Sequence, residues 1–299
     1  MTRSVMAIGA AVGLWLLAIP ADAGKVAIVV SRSLAPYVQA LKGYEGKTIE
    51  TLEKFNIEGD LQKGRDIFGS LSAADTSLAV AIGSEAVEAA KSGLARDIPL
   101  LYTMVLEAQP LPERKSYGVL MQIPADEQFG GIMKIFPGVS KIGVIYNSAS
   151  SSDAIQQARA AAQTRSLVLL PIAVEGVGEI QEALDKLKHS GVEVIWSVAD
   201  RITTQPAVIT KIISYSRQNK LPFIGLSPYH VKAGALAAFS ADFDDLGAQT
   251  AELAKKILTN TVVTQIQGPR KVIIYFNPET QNLLGLKSLN GLPGAQELK

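Results

Sequence analysis

Short, nearly continuous apolar runs alternate along this chain with longer stretches of helical periodicity, and that alternation constrains the fold more than any other feature. The runs fall at 26–30, 48–52, 78–82, 100–105, 117–123, 142–146, 167–173, 194–198, 223–226, 235–239 and 272–276. Segments apolar on both faces belong in parallel sheets, where helices cover each side. Helical periodicity lies between them at 36–43, 84–92, 126–136, 152–164, 177–188, 203–219, 242–258 and 278–284. For the last helix, Asn277 supplies a cap, Pro278 a first turn and Gly285 a stop. The β–α order predicts an α/β protein of doubly wound, Rossmann-like parallel sheets. With 47% of its 299 residues hydrophobic, the chain has apolar material for one large core or two ordinary ones.

The chain also repeats itself at the scale of a lobe. KVAIVVS at 25–31 is echoed by KIGVIYN at 141–147, each an opening strand followed by a Ser-rich loop and a helix. One offset, the 116 residues from Gly118 to Gly234, also relates Leu120 to Leu236, Ala125 to Ala241, Asp126 to Asp242 and Gly131 to Gly247. The pattern G-x-L-x4-A-D-x4-G thus occurs twice in one register, which predicts two similar lobes with a cleft between them.

Several function classes find no support. The net charge of +1 and the scattered basic residues give no footprint for nucleic acid. With no cysteine there is no disulfide, thiolate metal site or cysteine nucleophile. His189 and His230 have no metal-ligand spacing, so neither a metal nor another cofactor is expected. Phosphate-binding glycine motifs are absent, and no serine–histidine arrangement stands out.

The N-terminus reads as a secretory leader. Arg3 supplies a positive start, 4–21 is uncharged with an apolar heart at 5–19, Pro20 breaks the run, and Ala21-Asp22-Ala23 is a small-x-small cleavage site before Gly24. A membrane anchor is the competing reading, but the run is short for a hydrocarbon core of about 30 Å. The expectation is a signal peptide over 1–23, cleaved after Ala23, and a periplasmic mature protein that does not span the membrane.

From Lys25 to about Leu292 the chain resembles type I periplasmic binding proteins. Within them it is similar to the ABC transporter substrate-binding group that includes tryptophan- and tyrosine-type binders. The blocks that carry this are KIGVIYN at 141–147, AIGSEA at 81–86, GALAAFSAD at 234–242 with DLG at 245–247, and YFN at 275–277 with LGL at 284–286. The chain departs from the group at Ser84-Glu85, where a small residue and a proline usually follow the glycine. It departs again at 105–110, which lacks the usual aspartate-proline. The resemblance implies three hinge crossings, near 122–125, 239–241 and 268–272. The lobes would then be 24–122 with 240–268, and 123–239 with 269–299. It implies a monomer that captures a small, amino-acid-like solute in the cleft and passes it to an ABC permease with its ATPase. A binding partner of a sensor or outer-membrane system, a Rossmann-like enzyme and a cytoplasmic regulator are the alternatives.

Ligands of open α/β sheets sit beyond the carboxyl ends of the strands. That rule nominates Ser31, Arg32, Ser33, Gly83, Ser84 and Thr103 on the first lobe, and Asn147, Ser148, Asp200, Thr203, Ser227 and Tyr229 on the second. Ser84, at a strand–glycine–helix junction, either holds a ligand carboxylate or caps its own helix. The serines after Asn147 offer hydroxyls to a ligand, or form a loop that ends in a helix cap at Ser151 or Ser152. Asp200 either meets a ligand ammonium or caps a turn. Asp242 reads as a helix cap, and its twin Asp126 stands at the same repeat position, which supports a structural role.

Overall fold

The computed structural model describes residues 25–106 and 110–298. The leader read at 1–23 and residues 107–109 of the departure at 105–110 lie outside the described residues. The first sheet is built from β1 (Lys25–Val30), β2 (Leu52–Asn56), β3 (Thr76–Ile82), β4 (Leu100–Thr103) and β5 (Ser116–Val119), with α1 (Ala35–Glu45), α2 (Leu61–Ser70) and α3 (Ser84–Gly93) between the strands. The chain then enters α4 (Ala125–Ile135), β6 (Lys141–Tyr146), α5 (Ser148–Thr164), β7 (Val168–Ala173), α6 (Ile180–His189), β8 (Val194–Trp196), α7 (Pro206–Asn219), β9 (Phe223–Gly225), α8 (Pro228–Lys232) and β10 (Ala237–Ala241). It continues through α9 (Phe243–Leu258), β11 (Ile266–Gln267), β12 (Val272–Phe276), α10 (Pro278–Leu283) and β13 (Ala295–Glu297).

The strands form two sheets, ordered β11-β5-β4-β3-β1-β2 and β13-β12-β10-β9-β8-β6-β7. All ladders are parallel except β10 with β12. The apolar runs explain why both faces are covered. In the first sheet Val26, Ile28 and Val30 pack with α1 and α9 on one side, while Val29, Ala79 and Ala81 pack with α2 and α3 on the other. Each large side chain buried in this way contributes about 2 kcal/mol.

The chain passes between the sheets three times: after β5, after β10 and after β11. Gln267 pairs with Val119, and Ala241 pairs with Val272, so the three connecting segments run side by side. The Asp242 amide donates to the Lys271 carbonyl across the second and third, and Lys271 Nζ reaches Asp242 Oδ2. Helix α9 therefore leaves the second sheet to pack on α1. A Cβ at Gly247 would overlap the Ala40 carbonyl, and one at Gly43 the Asp244 carbonyl, so these glycines let the two backbones touch.

Element positions differ from expectation in a few places. The strand expected at 48–52 lies at 52–56, and α2, α8, β11 and β13 were not anticipated. Helix α5 begins at Ser148 rather than at 152, and α7 at Pro206 rather than at 203. Asn277 caps α10 as its sequence implies, its side chain accepting from the Thr280 amide, with Gly285 in the left-handed region just beyond.

Candidate functional site

The carboxyl edge of the first sheet is assembled around Gly83. Its φ of +94° suits glycine, and its amide donates to the Thr103 carbonyl at 2.9 Å. Ser31, fully buried at the end of β1, accepts the Ala86 amide on Oγ at 2.9 Å and so caps α3 from another strand. A Cβ at Gly83 would lie 2.6 Å from that Oγ. Thr103 is buried and donates to the Val119 carbonyl at 3.0 Å. The next residue, Met104, is buried with φ +59°, a conformation that costs a non-glycine residue about 1 kcal/mol.

Ser84 is exposed on the first turn of α3, and neither its amide nor its hydroxyl has a partner among the described residues. The capping role considered for it belongs to Ser31. Beside it Arg32 Nε lies 2.8 Å from Glu85 Oε1. The hydrogen bond from Arg32 holds the Glu85 carboxyl below the usual range. Ser33 Oγ donates to Glu58 Oε1 and accepts from Asn56 Nδ2, both at 2.8 Å.

The carboxyl edge of the second sheet is organised around Asp200, which is 4% exposed. Oδ2 accepts from the Asn147 amide at 2.7 Å, Ser151 Oγ at 2.8 Å and Ser150 Oγ at 3.1 Å. Oδ1 accepts from the amides of Ile202 at 2.8 Å and Thr203 at 3.1 Å. Burial alone would raise its pKa, but the amides of Asn147, Ile202 and Thr203 and the Ser151 hydroxyl outweigh it and hold the carboxyl below the usual aspartate value. Of the two roles weighed for Asp200, the turn-capping one is what the geometry shows. Asn147 is buried, its Nδ2 donating to the Val174 carbonyl at 2.8 Å, and Ser148 Oγ donates to Glu175 Oε1 at 3.0 Å. Thr203 is buried too, with Oγ1 3.3 Å from the Val198 carbonyl. Ser151, expected as a helix cap, lies inside α5 and serves Asp200 instead.

Ser227 and Tyr229 stand apart from that cluster. Ser227 precedes α8 without a side-chain cap bond, and Tyr229 is 65% exposed, edge-on to His230. His230 is buried, which lowers its pKa, and its Nδ1 accepts the Leu226 amide at 2.8 Å.

Apart from Ser84, Ser227 and Tyr229, the nominated residues are bonded within two groups, one on each sheet edge, with no hydrogen bond or ion pair between the groups among the described residues. Asn56, Glu58 and Glu175 border them and were not singled out from sequence. Asn56 ends β2 and Glu58 follows it, and placing that strand four residues early hid its carboxyl end. Among the described residues no group of acidic, histidine or cysteine side chains is arranged to hold a metal ion, and no helix is long and apolar enough to cross a membrane.

The sequence model of one family, ABC transporter substrate binding protein, matches residues 37–276. A tyrosine-binding protein of Clostridioides difficile (strain R20291) is 23% identical over 269 residues, covering 85% of this chain and 76% of that protein. The ligand-free, open structure of a substrate-binding protein with adhesive properties from Clostridium difficile aligns with a TM-score of 0.73 at 19% identity, over 92% of this chain and 100% of the other. A domain from Streptococcus pneumoniae in complex with L-Trp aligns with a TM-score of 0.57 at 21% identity, over 92% of this chain and 99% of the other.

Proposed function

Because the chain belongs to the ABC transporter substrate-binding protein family, with two α/β lobes of the type I periplasmic fold, we propose that it is an exported monomer that captures an amino-acid-like solute between the lobes and delivers it to an ABC importer. The family is one of binding proteins rather than enzymes, so the chemistry is recognition. Of the nominated residues, Ser84 takes the ligand carboxylate, using its free amide and hydroxyl at the start of α3. Arg32 and Ser33 border that subsite, while Ser31, Gly83 and Thr103 hold its shape. On the second lobe Asn147, Ser148, Asp200 and Thr203 present a pre-formed wall, and Ser227 and exposed Tyr229 close over the ligand body.

The observation that carries this reading is the free Ser84 junction at a sheet edge, in a chain whose family match spans both lobes. The names of the tyrosine-binding relative and of the L-Trp complex support an amino-acid ligand. Closure follows from the side-by-side crossings: a ligand that touches both edges favours the closed arrangement by its differential contacts. L-tyrosine, L-tryptophan and other amino acids are to be screened by thermal shift. At a hundred times its dissociation constant a cognate ligand adds about 2.7 kcal/mol of stability. No shift with any amino acid sinks the ligand class. Export is checked by N-terminal sequencing of periplasmic protein, which should begin at Gly24; an intact Met1 in a membrane fraction refutes it.

A further inference from the structure

At the opposite, amino edge of the second sheet lies a cavity of about 580 Å³, within the range of small-molecule sites. It forms where the turn after α4 (136–139), the start of β8 and the segment after α10 (285–292) meet. Buried Ile135 and Leu289 and half-buried Phe136, Val139, Leu286 and Leu292 give it an apolar floor. Three charged groups line it: Lys134, Lys287 and Glu193. Glu193 is engaged through one oxygen, its Oε2 accepting the Ser140 amide at 2.7 Å, the Lys141 amide at 2.8 Å and Ser140 Oγ at 3.1 Å. The two lysines are exposed and make no ion pair or hydrogen bond among the described residues. Lys134 suits the last turn of α4, where a cation offsets the helix dipole, but Lys287 lies on no helix and has no such role.

We infer that this cavity is a second ligand site, separate from the interlobe cleft, for an amphipathic monoanion of the medium-chain carboxylate class. The apolar floor takes the chain and the two lysines take the head. Two unpaired cations against one carboxylate that is turned to the Ser140 and Lys141 amides leave a net positive lining that selects an anion, and the bounded volume selects a single molecule rather than an extended surface. The reading does not depend on what the cleft binds.

Calorimetric titration of the full chain with decanoate, decanol and acetate tests it, alongside methyl NMR. Decanoate should saturate at one per chain, decanol should bind more weakly and acetate not at all. Lys134→Gln and Lys287→Gln should each weaken decanoate about fivefold, and the double variant more, with the melting temperature unchanged because both side chains are exposed. Methyl shifts should centre on Leu286 and Leu289. Absence of saturable decanoate binding, equal binding by the double lysine variant, or shifts centred instead on Leu34 and Leu106, exposed beyond the carboxyl ends of β1 and β4, would each overturn the proposal. So would binding to phosphatidylglycerol vesicles without binding of free decanoate.

Discussion

The carboxyl edges of the two sheets are built from the same kinds of residue and spend them differently. On the first, the hydroxyl and amide of Ser84 are left unused while a neighbouring strand supplies the helix cap through Ser31. On the second, the one buried aspartate is consumed by five donors from its own lobe, the amides of Asn147, Ile202 and Thr203 and the hydroxyls of Ser150 and Ser151. The first edge has free donors for a ligand; the second has rigidity. A free donor is a weak contributor to the fold and a strong one to binding, and a satisfied carboxylate is the reverse. Substitutions at the two edges should therefore separate stability from affinity.

The largest effect belongs to Asp200. Asp200→Ala leaves buried amides of Asn147, Ile202 and Thr203 without acceptors and should cost about 3 kcal/mol, read by denaturant unfolding. The pH dependence has a definite sign. The folded pKa is depressed, so the contribution is complete above the unfolded aspartate value of about 3.9 and is lost as pH falls through the lower folded value. His230 acts earlier on the same descent. Burial disfavours its charged form, so its loss begins as pH falls below the ordinary histidine value of about 6.5. Asp200→Ala should flatten the acid limb of the stability curve and leave the limb near pH 6 unchanged. An unaltered acid limb would mean that the carboxylate is not the brace the bonds describe.

Next in size is Gly83→Ala, on the first edge. It places a Cβ 2.6 Å from Ser31 Oγ and forces a non-glycine residue to φ +94°. The strain and the displaced cap should together cost about 2 kcal/mol. Affinity should fall as well, because the turn that presents Ser84 is displaced. A destabilised variant with wild-type affinity would show that the turn does not shape the ligand subsite.

What was legible in the sequence follows from burial. Central strands such as β1 and β6 are apolar on both faces, so KVAIVVS and KIGVIYN declare themselves. The edge strand β2 keeps a half-exposed pattern, and its LEKFN sequence carries little signal, hence its displacement by four residues. Strands as short as Ile266–Gln267 are defined by their partners rather than by their own residues. The internal repeat was a partial guide. Gly131 and Gly247 both allow close approach, to Phe239 and to the α1 backbone. The paired aspartates diverge: Asp242 caps α9, whereas Asp126 forms a two-pronged ion pair with Arg165. For the site, strand topology nominated loops at the carboxyl ends of strands, but not the direction in which each polar group is spent. The donors to Asp200 arrive from 147–151 and 202–203, and no local pattern encodes the distance between those segments.

The smallest effect on stability, and the sharpest test of the contrast, is the pair Ser31→Ala and Ser84→Ala. The two serines meet at one helix start, and sequence alone offers Ser84, not the distant Ser31, as its cap. Ser31 is buried and bonded to the Ala86 amide, so its loss should cost about 1 kcal/mol. Ser84 is exposed and unbonded, so Ser84→Ala should leave the unfolding midpoint where it is. In binding the order should invert. A hydroxyl that donates to a ligand carboxylate makes a charge-assisted bond, and removing it should weaken affinity by about 1.5 kcal/mol, a little over tenfold. Calorimetric titration of both variants with whichever amino acid gives a thermal shift decides the matter. If Ser84→Ala binds as tightly as the parent chain, the first edge holds its ligand through some other group. If it unfolds earlier, the hydroxyl is structural after all, and the division of labour between the two edges fails at the residue on which it chiefly rests.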